Sequence, residues 1–235
     1  MGKPVCIITG AGEGTGAAVA RRFSHGGYKI AMLARDGERL EKFEKEIPNA
    51  YAFQCDVADI GAFKSVLKRV KTEVGAPTVA VHNAVAGRPF ATILDADPEI
   101  FEQQFRVNTT ALMVLAQAVA PDMIDVKKGA ILVTGNTSAW RGKANFSMFA
   151  PTKAAQRILA EAMARDLGPK GIHVAHFTID AAIDTPWTRP LIYPDAPDDF
   201  FAKPSDIADT MYHVAHQKAS AWTFSLDLRP STESW

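Results

Sequence analysis

The chain has 235 residues, 26 Lys plus Arg against 26 Asp plus Glu, and 47% apolar residues. That length accommodates one α/β core and crowds two, and the zero net charge argues against an electrostatic nucleic-acid binder. No apolar run reaches the roughly 18–20 residues that cross a bilayer, and the opening residues lack the basic region, long apolar core and cleavage site of a signal peptide. A cytoplasmic address with no membrane partner is therefore expected. Gly2 does not make a myristoylation signal, because Cys6 stands where that signal needs Ser or Thr. Cys6 and Cys55 lie at strand positions and are expected as buried free thiols of a reducing compartment. No metal site is expected.

Apolar runs of strand length alternate with longer segments of helical period, which predicts βαβ units and a parallel sheet. The first strand is expected over 5–9. Ala17, Val19, Ala20 and Phe23 give the next segment a helical face that ends near Gly26 and Gly27. A strand over 29–34 precedes a helix from about Gly37 to just before Pro48. A third strand over 50–54 leads to a helix that follows Asp59, an N-cap candidate, and runs to Val74. The fourth strand covers 78–82. Asp97-Pro98 pairs an N-cap with a proline at the first helical position, so a long helix runs from there to about Ala120 and stops at Pro121. A strand over 130–134 and a helix over 146–167 follow, the helix ending at Gly168-Pro169. The sixth strand covers 172–179. Residues 180–203 are rich in Pro and Asp and have no period; a loop of that length in a compact domain is usually functional, here a lid over a site. Ser205 is expected to cap a short helix through His216, and 222–228 alternates as a seventh strand. With right-handed crossovers, the fold class is α/β: a single Rossmann-type doubly wound parallel sheet of about seven strands, with helices on both faces, in one domain over 1–235.

Thr9-Gly10-Ala11-Gly12-Glu13-Gly14-Thr15-Gly16 joins the first strand to the first helix. A phosphate needs backbone N–H donors and the positive end of a helix dipole, with no Cβ in the way. Glycines at a strand-to-helix turn provide both, and at the first βα turn of a parallel sheet the pattern points to a dinucleotide. The bland alternative is a tight turn needing positive φ.

At this point the chain resembles the short-chain dehydrogenase/reductase family. Thr9, Gly10, Gly14 and Gly16 match its T-G-x-x-x-G-x-G motif. Asp56-Val57 stands where the family has an Asp-Val pair whose carboxylate meets the adenine amine. In His82-Asn83-Ala84-Val85, Asn83 and Ala84 match the family's N-N-A-G. Asn108 matches its structural and catalytic Asn, and Lys153 the Lys of Y-x-x-x-K. Asp180-Ala181 stands at a frequent Pro-Gly, and Thr185 where a Thr commonly binds the nicotinamide carboxamide. The resemblance implies a dinucleotide held by Thr9, Gly10, Gly12, Glu13, Gly14, Thr15, Gly16, Arg35, Asp56, Val57, Asn83, Ala84, Lys153 and Thr185. It also implies a homodimer or homotetramer.

An acid at the end of the second strand favours NAD, and an Arg there pairs with the 2′-phosphate of NADP. Here Ala34 replaces the acid and Arg35 follows it, so NADP is expected, with NAD as the alternative; the acidic Glu13 cuts the other way. The catalytic positions depart from the family pattern. Four residues before Lys153 the family's proton-donating Tyr is replaced by Phe149, and thirteen before that its Ser is replaced by Asn136. Phe has no exchangeable proton, whereas the Asn136 amide can stabilise an oxyanion. The catalytic set is thus expected to be Asn108, Asn136, Phe149 and Lys153. Thr137, Ser138, Ser147, Tyr193 and His82 are candidate substitutes for the missing acid, each with a bland reading as a turn hydroxyl, a loop aromatic or a buried polar group. Trp140 is either a substrate-pocket wall or loop packing. Trp187, Tyr193, Phe200 and Phe201 point to an apolar or aromatic small-molecule substrate, or to packing of the lid on the body. The expected activity is an NADP-dependent oxidoreductase for a carbonyl or alcohol with non-standard active-site residues. The alternatives are a catalytically weak or inactive dinucleotide-binding sensor or partner subunit, and a reductase whose substrate needs no Tyr acid.

Overall fold

A computed structural model describes residues 2–87 and 90–233. Seven strands form one parallel sheet in the order β3-β2-β1-β4-β5-β6-β9. They are β1 (Val5–Thr9), β2 (Lys29–Ala34), β3 (Ala50–Gln54), β4 (Pro77–His82), β5 (Gly129–Asn136), β6 (Ile172–Ile179) and β9 (Ser225–Leu228). The expected fold class holds: a Rossmann-like α/β sheet with helices on both faces. Side chains alternate across the central strands. Val5 and Ile7 of β1 join one apolar core while Cys6 and Ile8 join the other. On the first face pack α3 (Ile60–Glu73), α5 (Ala111–Asp125) and α6 (Phe149–Leu167). On the second pack α1 (Thr15–His25), α2 (Gly37–Glu46) and α8 (Pro204–Ala215). Strand order reverses between β1 and β4, and in such sheets a crevice opens there at the carboxyl ends. Cys6 and Cys55 are buried free thiols, as expected.

Two helix starts, at Asp59 and Asp97, follow the predicted capping, and Asp36 adds a third. Asp36, Asp59 and Asp97 each accept a first-turn backbone N–H. Ser205 does not cap: α8 starts at Pro204 after Lys203, and the Ser205 hydroxyl bonds Asp206 instead. The helix after Asp97 is also more elaborate than expected. It runs as α4 (Pro98–Phe105), a wide π-helical turn over Arg106–Thr110, and α5, which carries Pro121 inside it. A proline removes the bond to the carbonyl four residues back. Here Gln117 and Pro121 both face solvent, so water can satisfy that carbonyl and the helix continues. By length and composition, the run from Pro98 to Asp125 would suit a membrane span, but 56% of its most apolar stretch is buried inside the fold, as in a core helix.

Three boundaries shift. β5 extends to Asn136 because it pairs with β6 along its whole length. α6 begins at Phe149 rather than 146, since Phe146 to Met148 form a preceding turn in which Phe149 and Ala150 donate to Phe146. β9 begins at Ser225; Trp222 instead stacks on His173 at 4.8 Å. Residues 180–203 are not without structure. β7 (Ala182–Ile183) pairs with β8 (Phe201–Ala202), and α7 (Thr188–Ile192) lies between them. Arg189 ties the segment together, bonding Asp184 at 3.0 Å and Asp198 at 2.6 Å, with its guanidinium over the Phe201 ring. These pairings join residues distant in sequence, so no local period announces them.

The His176 ring of β6 lies against Gly135 of β5, and a Cβ on Gly135 would collide with it. Gly135→Ala is expected to cost about 2 kcal/mol, the order found for overpacked cores, and so lower the thermal midpoint by several degrees. The double variant with His176→Ala should recover most of that loss in a melting experiment; no recovery would mean that the contact is not the cause.

Candidate functional site

The glycine turn is built by close approach. Gly10 has φ +75°, and a Cβ there would lie 2.6 Å from the Ala84 backbone. A Cβ on Gly16 would strike the Gly10 carbonyl, and one on Gly14 would lie 3.0 Å from the Thr185 side chain. Gly10 and Ala11 both donate to Leu33 of β2, which clamps the turn to the sheet. The first turn of any helix leaves N–H groups without an intrahelical partner, and α1 presents its first turn directly after the glycines. The Thr15 hydroxyl beside them is buried and has no hydrogen-bond partner among the described residues.

A cleft of about 1130 Å³ opens in front of this turn. Eleven predicted residues line it: Gly10, Gly12, Gly14, Thr15, Gly16, Arg35, Asp56, Val57, Asn83, Ala84 and Thr185. Thr9, Glu13 and Lys153 do not. Thr9 is fully buried and its hydroxyl is 3.0 Å from His82 Nδ1, a contact that holds the two strand ends together, while Glu13 is exposed to solvent. Thr185 is fixed by its own local turn: its hydroxyl accepts from the Thr188 N–H and contacts the Thr188 hydroxyl at 2.6 Å.

The predicted catalytic residues converge where β5, α6 and the π turn meet, behind the cleft. Asn108 sits within the π turn. Its Oδ1 accepts from the Ala86 N–H, its Nδ2 donates to Thr152 Oγ1 at 2.9 Å, and its carbonyl accepts from Gln156 Nε2 at 2.7 Å. Three anchors on one residue account for the widened turn, and π turns recur at functional sites. Thr152 in turn donates to the Phe149 carbonyl. Phe149 is 2% exposed and packs near Phe146. Asn136 ends β5, and its Oδ1 accepts from the Ser138 N–H, which leaves Nδ2 as the donor end of the amide. Lys153 is buried and its Nζ donates to the Thr134 carbonyl at 3.0 Å.

Each candidate substitute acid has its own local setting. His82 is fully buried, facing Thr9 on one side and the Val107–Asn108 backbone on the other. Tyr193 packs on Phe200 and Phe201. Ser147 donates to the Ala91 and Thr92 carbonyls. Thr137 and Ser138 form a short turn capped by Asn136. Trp140 donates to Thr178 and lies under the Arg157 guanidinium, while Trp187 lines the cleft. Among the described residues, no cluster of three or more His, Cys, Asp or Glu could hold a metal ion.

The structure adds residues that the sequence pass overlooked. Arg39 lines the cleft beside Gly12, paired with Asp36 at 2.9 Å; its spacing, one turn on from Arg35 across a helix start, is a readable signal. Thr134, Thr152 and Gln156 orient Lys153 and Asn108, and their role has no local signature. Gln104 is a buried polar residue one turn before Asn108, which helical period alone could have flagged.

A family model described as short chain dehydrogenase matches residues 4–192. The chain belongs to the short-chain dehydrogenase family. It is 30% identical over 186 residues to 2,3-dihydro-2,3-dihydroxybenzoate dehydrogenase from Bacillus subtilis, covering 77% of this chain and 68% of that relative. It is 31% identical over 171 residues to L-xylulose reductase from Mesocricetus auratus, covering 72% and 67%. The solved alcohol dehydrogenase of the archaeon Thermococcus sibiricus, complexed with 5-hydroxy-NADP, matches with a TM-score of 0.87 at 25% identity over 98% of both chains. The family and these members are dehydrogenases and reductases, which makes the chain an oxidoreductase by class.

Two buried histidines flank Lys153. Burial first, and then the Lys153 charge, push His82 and His176 each down to about 3. Both are neutral in the folded protein and titrate near pH 6.5 once unfolded. Between about pH 6.5 and 3 the unfolded chain takes up protons that the folded chain does not, so stability present above that window is lost as pH falls through it. Each histidine is expected to cost up to about 1.4 kcal/mol per pH unit below about 6.5. Thermal midpoints measured from pH 7 to 5 should fall steeply, and His176→Phe should flatten the slope. An unchanged slope in that variant would refute the assignment.

Proposed function

We propose that this protein is an NADP-dependent oxidoreductase of the short-chain type, acting on a carbonyl or alcohol substrate with non-standard active-site residues. The observation that carries this reading is the cleft itself, which runs from two arginines, past the glycine turn, to Thr185. The residues fit a nicotinamide dinucleotide. Glycines stand where a Cβ would collide, the Thr15 hydroxyl is buried without a partner among the described residues, and a helix N-terminus faces the turn; this combination suits a pyrophosphate. Asp56 and Val57 would hold the adenosine end, Arg35 and Arg39 the 2′-phosphate, and Thr185 and Lys153 the nicotinamide end. When bound, such a cofactor supplies or accepts a hydride.

The chain's own groups would do the rest. The Asn136 Nδ2 would donate to the substrate oxygen, a stabiliser of developing negative charge. Lys153 would contribute a buried positive charge anchored on Thr134. Phe149 would form an apolar wall and hold no proton, so the proton would come from a substitute group or from water. Losing a positioned acid costs about 10²–10⁴ in rate. The second reading, a catalytically weak or inactive dinucleotide-binding sensor or partner subunit, is favoured by that same phenylalanine. Residues 180–203 would act as the lid, carrying Thr185 and Trp187. The exposed aromatics around it suit an apolar or aromatic substrate. We further propose a cytoplasmic homodimer or homotetramer, which the buried free thiols and the half-exposed edge strand β9 support.

Titration calorimetry tests the cofactor. Wild type should bind NADP⁺ more tightly than NAD⁺, and Arg35→Ala or Arg39→Ala should weaken NADP⁺ by about 10–100-fold, the worth of a charge-assisted bond, with NAD⁺ little changed. If NADP⁺ does not weaken relative to NAD⁺, the assignment fails. NADPH consumption across a panel of carbonyl compounds separates the two functional readings. Wild-type turnover that rises in Phe149→Tyr supports the enzyme, whereas turnover in the variant alone supports the binder.

A further inference from the structure

Gln104 of α4 is 1% exposed, and neither its Oε1 nor its Nε2 has a hydrogen-bond partner among the described residues. Leaving both ends of a buried carboxamide unpaired is the costly direction for a polar group. Such a side chain is retained where something else completes it. Gln104 lines the main cleft together with Asp56, Val57, Ala86 and Val107. Ile100 and Gln103 of the same helix also face Ala58, Asp59 and Ile60 across a neighbouring groove, so α4 runs alongside the segment that carries Asp56. Asp56 Oδ1 accepts from the Ala58 N–H at 2.9 Å, which leaves its other oxygen as an acceptor. Asp56 and Gln104 thus border the same end of the cleft, the carboxylate with a spare acceptor and the carboxamide closed to solvent with both its ends unpaired among the described residues.

We propose that Gln104 is an adenine-binding residue that reads the purine edge as a pair with Asp56. This rests on the dinucleotide reading given above and adds a specificity determinant to it. Adenine carries an exocyclic amine with two hydrogens, flanked by a ring nitrogen acceptor on each side. One amine hydrogen goes to Asp56 and the other to Gln104 Oε1, while Gln104 Nε2 donates to the adjacent ring nitrogen. On the N1 edge a carboxamide offers the amine and ring nitrogen the same donor–acceptor pair that Gln and Asn offer to the amine and N7 in the major groove. The arrangement satisfies both orphaned atoms of Gln104 at once. A lone ordered water could bridge the two ends but would carry no information about the base.

The test compares the affinities of wild type, Gln104→Met and Gln104→Leu for NADP⁺ and for 1,N⁶-etheno-NADP⁺, in which the amine and the neighbouring ring nitrogen are bridged. Calorimetry supplies the dissociation constants, and melting of the free proteins checks that the variants fold. The expected result is a roughly tenfold weaker NADP⁺ complex in both variants, with the etheno analogue changed less than twofold. A variant that folds as wild type and binds NADP⁺ within twofold of it overturns the inference, as does equal weakening of both ligands. If wild type binds neither ligand, the dinucleotide reading itself falls, and this inference with it.

Discussion

The Asn83 carboxamide holds together the parts on which this site depends. Its Nδ2 donates to the Gly10 carbonyl at 2.9 Å and its Oδ1 accepts from Thr134 Oγ1 at 3.1 Å. One amide thus joins the glycine turn after β1 to β5 across the end of β4. The Thr134 carbonyl receives Lys153 from α6. Glycine turn and buried cation are therefore linked by two side chains and two carbonyls within the sheet's carboxyl edge. Replacing either partner would leave buried polar groups unmet, which is the costly direction for a hydrogen bond. The close packing of Gly10 on Ala84 is the steric counterpart of the same tie.

Much of this fold was legible in the sequence because its elements are local. β1, β2, β3 and β6 occupy their predicted spans, since short apolar runs between turns are readable one strand at a time. Asp59 and Asp97 cap as read. The errors arose where distant groups decide. Pro121 lies within a helix because its face is wet. Ser205 lost its cap position to a helix that starts one residue earlier at Pro204. β5 grew by three residues because β6 was there to pair with it. The segment 180–203 looked featureless because Arg189 organises it through two aspartates and an aromatic ring rather than through periodicity.

The site divides in the same way. The glycines, Asp56 and Asn83 could be read from motif order, and eleven of the expected cofactor residues line one cleft. Thr9 belongs instead to the strand ends and Glu13 to the surface, because a motif records which residues recur and not what each one touches. Arg39, Thr152, Gln156 and Gln104 had no motif at all. They matter through burial and pairing, which become visible only once helices have been packed against strands.

β9 braces the base of the 180–203 segment. It pairs with the second half of β6, the Asp180 N–H donates to the Leu228 carbonyl, and Arg229 pairs with Asp180 at 3.5 Å. The strand that anchors this segment therefore lies beyond it in the chain. The wall that carries Thr185 is thus steadied by residues that follow it in the chain, so a truncation before β9 removes the support on that side of the cleft.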